Sequence, residues 1–242
     1  MVLIDLTYVI DEGGSKYPTD PAPRVVIMPA EVTTDGRVRS GYTELVLRSH
    51  HGTHVDAPAH KIPGGRTIDT YGVAAFTNTG VLVDLTQSFV DGESGYVRTI
   101  TTAIVEEVFN QALVKRLVEE QISALLFRTG YDKVIERGVT QDINFPYLES
   151  QAAELLLHAL DSAQVSLRVV GIDSFSFDPK GSWDSPAHRL FLSRDILLIE
   201  TLVNLHLVAD RFGRRSFELI CLPIPYKNAD AAQARVVVRA RN

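Results

Sequence analysis

A chain of 242 residues, 45% hydrophobic and 22% charged, has the composition of an ordinary soluble globular protein and is long enough to bury a substantial core. A formal net charge of −6, with no dense Lys/Arg run, argues against nucleic acid or an anionic membrane as the main partner. The lone cysteine, Cys221, excludes an intrachain disulfide and a Cys-rich zinc site; within Leu219-Ile-Cys-Leu222 it is expected as a core thiol.

The N-terminal residues lack a basic region and are interrupted by Asp5 and Asp11, so no signal peptide is expected. No window approaches about 18 uncharged apolar residues, so no membrane span is expected either. The expectation is a cytoplasmic protein.

Taken in order, Leu3–Thr7, Arg24–Met28 and Thr43–Ser49 are rich in branched residues and bounded by Gly, Pro and Asp, as strands are. Gly80–Leu85 is a continuous apolar run, the mark of a strand buried on both faces. Thr102–Glu120 has helical spacing, with Thr101 or Thr102 as N-cap. Ile122–Arg128 follows as a strand, Ser150–Asp161 as a helix capped by Ser150, and Leu167–Asp173 as a strand. Ile196–Leu202, Phe217–Leu222 and Arg235–Arg239 complete the set. Alternating strands and helices through the middle predict an α/β fold in one domain spanning 1–242, with the β-rich ends forming a second sheet. The Pro/Gly-rich segments at 12–23, 61–72 and 178–186 are expected as loops over a site.

The chemistry concentrates in Ser49-His-His-Gly-Thr-His-Val-Asp-Ala-Pro-Ala-His60, which holds four of the seven histidines. His50, His54, Asp56 and His60 share one parity, and alternate residues of an extended chain share a face. A helix would set Asp56 opposite His50, and Gly52 and Pro58 are poor helix residues. A straight strand would still hold the Cα atoms of His50 and His54 roughly 13 Å apart, too far to share an ion with bonds of about 2.1 Å. A bend is therefore predicted at Gly52, the residue freest to adopt it. Two imidazoles and a carboxylate suit zinc, manganese or ferrous iron with positions open for water. His51 falls outside this parity and is expected behind the site or facing solvent. His-Glu-x-x-His is absent, because His51 stands where its glutamate would be.

Carboxylates embedded in apolar runs are costly unless partnered. Asp84 is expected to cap a strand end, and Asp173 to support the site or shape a turn. If a helical turn at 187–193 leads into the next strand, His188 and Glu200 could meet near one strand end. Tyr17, Phe175, Phe177 and Trp183 are candidates for an aromatic pocket, or simply for the core.

His50-x3-His54-x-Asp56-x-Pro58-x-His60 resembles the signature of the metal-dependent cyclase family, which includes bacterial kynurenine formamidases and isatin hydrolases. The likeness extends to Tyr17-Pro-Thr-Asp-Pro21, Leu126-Phe-Arg-Thr-Gly130, Gly171-Ile-Asp-Ser174, Ala187-His188 and Ile199-Glu200. It implies a swivelling β/β/α-type fold with mixed sheets, and a homo-oligomer, dimeric or larger. It also implies His50, His54 and Asp56 on a divalent metal, zinc or manganese, with Asp56 bridging to a second ion on His188 and Glu200 where two are bound. His60 would be proton donor and acceptor, and Tyr17 would line a small-molecule pocket. Departures are Thr19, where the family often has Gly, and Thr53, where many kynurenine formamidases have Ala. The implied activity is hydrolysis of an amide-like bond, N-formylkynurenine to kynurenine and formate. An isatin-type lactam or lactone hydrolase and a non-catalytic metal-containing binding protein are the alternatives.

Overall fold

Residues 2–89, 99–138 and 144–241 are described here, in a computed structural model. The strands are β1 (Leu3–Asp5), β2 (Arg24–Met28), β3 (Glu31–Val32), β4 (Val38–Arg39), β5 (Tyr42–Val46), β6 (His54–Asp56), β7 (Thr77–Asp84), β8 (Thr99–Ile100), β9 (Ala124–Arg128), β10 (Tyr147–Leu148), β11 (Val169–Ile172), β12 (Leu197–Glu200), β13 (Phe217–Pro223) and β14 (Ala231–Arg239). The helices are α1 (Thr102–Val108), α2 (Gln111–Glu119), α3 (Asp132–Glu136), α4 (Ser150–Ser162), α5 (Pro186–Leu192) and α6 (Leu205–Phe212). Among the described residues no helix is long and apolar enough to cross a membrane.

β7, β9, β11 and β12 run parallel, as strands joined through helical crossovers must. β13, β14 and β6 are antiparallel to their neighbours and close the sheet on itself in the order β14-β13-β7-β9-β11-β12-β6, with β1 beside β14. The parallel strands alternate between two apolar layers. Leu125, Phe127, Val170 and Leu198 pack toward α1, α2, α4 and α5, while Ala124, Leu126, Val169 and Ile199 face the barrel interior and α6. Each of these side chains other than Ala124, fully buried, stabilises the fold by about 1.5–3 kcal/mol before entropy is counted.

The α/β reading with a mixed sheet holds, and the β-rich ends divide: β2 and β5 form a separate two-stranded sheet, whereas β1, β13 and β14 do not. Phe217, Leu219, Cys221, Val236 and Val238 are buried in the barrel interior, so β1, β13 and β14 complete the main sheet instead. The long helix predicted from Thr102 is broken at Phe109 and Asn110, because the Asn110 side chain accepts from Ala112 N and Leu113 N and starts α2 anew. Thr101 caps α1. Ser150 does not cap α4; it is the helix's first residue, and its hydroxyl donates to Gln151. β14 begins four residues before the predicted start at Arg235, since Ala231–Gln233 lack branched side chains and are extended by pairing with β6.

Candidate metal centre

β6 is only three residues long, wedged between β12 and β14, and its register sets Glu200 directly opposite His54. His54 and Asp56 share a face of this strand, as alternation requires. His50 and His60 reach the same place differently. His50 lies before Gly52, whose φ of +69° folds the chain back; a Cβ there would meet Ile10 Cγ1 at 2.6 Å. His60 ends a 3-10 turn, Pro58–His60. The predicted bend at Gly52 is present, but the extended run is confined to His54–Asp56; curvature on either side gathers the four side chains.

His50 Nδ1 lies 3.0 Å and His54 Nε2 3.3 Å from Asp56 Oδ1, and His188 Nε2 lies 3.5 Å from Asp56 Oδ2. Glu200 sets Oε1 3.1 Å from His188 Nε2 and Oε2 3.5 Å from His54 Nε2. Donor atoms of His50, His54 and Asp56 lie within 4.8 Å of one another, as do those of Asp56, His60 and His188.

Each imidazole is oriented from behind. His54 Nδ1 bonds the Gly52 carbonyl at 2.8 Å, which turns Nε2 toward the carboxylates. His188 Nδ1 lies 2.6 Å from Asp178 Oδ2, and Asp178 also accepts from the backbone N–H groups of Ala187 and His188 at the start of α5. Asp230, in the turn before β14, takes His50 Nε2 at 2.9 Å and His60 Nδ1 at 3.1 Å on one oxygen, and Ser49 Oγ on the other. Such partners fix tautomer and ring direction at metal-binding histidines.

Nearby close approaches do not make hydrogen bonds for three buried atoms. His54 Nε2, Asp56 Oδ1 and Asp56 Oδ2 have no hydrogen-bond partner among the described residues, although Asp56 is wholly buried. A buried carboxylate left so is costly, and a cation shared with imidazole nitrogens offsets that cost. The nitrogen and oxygen donors suit a borderline divalent ion, so the residues present fit a metal.

The electrostatics agree. Burial opposes the charged form of His50 and His54, but the carboxylates, Asp56 foremost, outweigh it and raise them to about 9 and about 10. His188 is likewise raised against its burial, by Glu200 and Asp178. The carboxyls of Asp56 and Glu200, though buried, are held low by the surrounding histidines, and Asp230 is held low by its hydrogen bonds from His50 and His60.

All six polar residues expected from sequence therefore converge. Tyr17 lines the adjoining pocket of about 440 Å³, with Phe175 and Trp183 also on its wall, whereas Phe177 is buried in the core. All three loops predicted to overhang the site contribute to this wall, through Tyr17 and Asp20, Lys61, and Asp178–Ser185. His51 is buried rather than solvent-facing, with Nε2 on the Pro21 carbonyl at 3.1 Å. Asp84 ends β7 against Arg128, as expected. Asp173 lies outside the cluster and receives Thr129 N, Thr129 Oγ1 and Gly130 N. Asp178 and Asp230 were not foreseen; Asp178 in an Asp-Pro turn and Asp230 just before a strand are the only local hints.

Comparison with known proteins concerns the chain as a whole. The family model described as "Putative cyclase" matches residues 4–179. A kynurenine formamidase of Salinibacter ruber is 29% identical over 239 residues, covering 99% of this chain and 98% of the relative. One of Bacillus cereus is 30% identical, covering 98% and 96%. Among solved structures, isatin hydrolase A of Labrenzia aggregata superposes with a TM-score of 0.75 at 20% identity, covering 99% of this chain and 93% of that one. With most of the chain matched by one family model and the relatives aligned end to end, the chain belongs to the cyclase family.

Proposed function

We propose that this protein is a metal-dependent hydrolase of amide-like bonds, with N-formylkynurenine as the favoured substrate. The observation that carries the reading is the convergence of His54 Nε2 and the two unpartnered oxygens of buried Asp56 beside the His60–Asp230 pair. His50, His54 and Asp56, with His188 and Glu200 sharing Asp56, would hold one or two zinc or manganese ions. When bound, such an ion acts as a Lewis acid that polarises a carbonyl and lowers the pKa of water. His60 gives Nδ1 to Asp230, so Nε2 is left to take a proton from the attacking water. As the water oxygen bonds to the formyl carbon and the C–N bond breaks, Nε2 returns that proton to the leaving nitrogen. Tyr17, half-buried and packed on Phe145 with ring centroids 5.7 Å apart, would flank the substrate's aromatic ring.

We further propose a homo-oligomer. Among the described residues β2 and β5 pair only with each other, and Ile27, Tyr42, Leu45 and Val46 stand exposed on this ribbon. A two-stranded ribbon is marginal in water by itself, and a second copy would cover it; sedimentation at micromolar concentration should show a dimer or larger species, and a monomer would refute this part.

Hydrolysis of N-formylkynurenine and of isatin by metal-replete protein, assayed side by side, tests the substrate. Faster turnover of the formamide is expected, and His60→Ala should lose most turnover while keeping its metal. Preference for isatin would support the lactam reading instead, in line with the fold shared with isatin hydrolases. Metal binding with turnover of neither compound would favour a binding protein.

A further inference from the structure

The pocket beside the cluster has one uncommitted charge. Its acidic residues are all engaged: Asp20 with Arg48 at 2.8 Å, Asp178 with His188 and two backbone N–H groups, and Glu200 with His188 and Phe177 N. Of its two permanent cations, Arg48 is neutralised by Asp20. Lys61 is the other. It follows His60 directly, at the end of the 3-10 turn, where its backbone N–H closes on the Pro58 carbonyl at 3.1 Å. That turn fixes the residue on the pocket wall, half-buried, and its ammonium has no hydrogen bond or ion pair among the described residues.

We propose that Lys61 is an anion-recognition residue, the group that binds the carboxylate of an aromatic substrate in this pocket. The ammonium of a half-buried lysine with no ion-pair partner gains most from an anionic partner that arrives with the ligand. The aromatic side chains Tyr17, Phe175 and Trp183 on the same wall fit the ring of such a ligand. The inference deepens the hydrolase reading by naming the residue that reads the substrate's negative charge, and it rests on that reading only for the identity of the site.

The test is binding, independent of turnover. Trp183 is the chain's only tryptophan, 99% exposed on the pocket wall, so its emission reports occupancy. Metal-replete protein is titrated with 4-oxo-4-phenylbutanoate and with 4-oxo-4-phenylbutanamide, which differ in charge. The acid should bind roughly tenfold more tightly than the amide. Lys61→Met should erase that preference without weakening amide binding, and Lys61→Arg should keep most of it. Equal binding of the two probes by the native protein, binding of neither, or a preference that survives in Lys61→Met overturns the proposal. If Lys61→Met erases the preference yet N-formylkynurenine is not hydrolysed, the anion site stands and the substrate assignment falls.

Discussion

Replacing Asp230 with asparagine removes one negative charge and almost no volume. Asp230 Oδ2 accepts from both His50 Nε2 and His60 Nδ1, and Oδ1 accepts from Ser49 Oγ, so an amide oriented with its oxygen toward the histidines keeps both histidine bonds, while its NH2 donates to Ser49 Oγ with the direction of that bond reversed. What is lost is charge assistance in two bonds, worth about 1 kcal/mol each when a charged acceptor becomes neutral. Asp230 is 40% exposed, so solvent screening reduces the total of about 2 kcal/mol to about 1–2 kcal/mol. If that loss falls on the transition state, in which His60 carries the extra proton, kcat drops roughly 5- to 30-fold. The assay is kcat for formamide hydrolysis measured together with metal content of the same preparation. A fall of this size at unchanged metal stoichiometry is expected. An unchanged kcat, or a fall matched step for step by metal loss, would refute the role assigned to Asp230.

Two further perturbations follow from the same geometry. Gly52→Ala puts a side chain at φ +69° and its Cβ 2.6 Å from Ile10 Cγ1, so the protein should lose about 1–3 kcal/mol, a Tm lower by roughly 2–12 °C, together with metal affinity; a variant with native Tm and native metal content would contradict the bend's role. For chelated protein, pH is the probe. His50 and His54 are raised from 6.5 to about 9 and about 10, so the stability they contribute is fully present below pH 6.5 and is lost as pH climbs through 9 and 10. Asp56 and Glu200 are lowered, so theirs is present above their ordinary values and lost on acidification. Calorimetry of the chelated protein should show Tm falling from pH 7 to 10, and added zinc should flatten that alkaline slope; identical slopes with and without zinc would count against a shared site.

The legible part of the site was the local part. His50, His54, Asp56 and His60 lie within eleven residues, and their shared parity selected them while setting His51 aside. Parity grouped them correctly although only His54–Asp56 is strand, because the Gly52 bend and the Pro58–His60 turn happen to aim His50 and His60 into the same space. Spacing suggests that His188 and Glu200 could meet, and family likeness gives them a ligand role; neither reveals that β12 pairs antiparallel with β6 and sets Glu200 across from His54. Asp230 was out of reach for the same reason. It meets His60 across 170 positions, and only closure of the barrel through β14 and β6 brings them together. In the fold, the continuous apolar runs marked β7, β9, β11 and β12, buried on both faces. The break between α1 and α2 was hidden because Asn110 fits a helical pattern by position while its side chain ends one helix and starts the next.

The position of the bound cation is the decisive observation. A crystal of metal-replete protein, measured at the zinc absorption edge, should show anomalous density between His54 Nε2 and the carboxylate of Asp56, with His50 also in reach. A second peak toward His188 and Glu200 would mark the two-ion form. Absence of a peak beside Asp56 in crystals soaked with excess zinc, or a peak only at surface residues, would contradict the metal centre and the hydrolytic chemistry built on it.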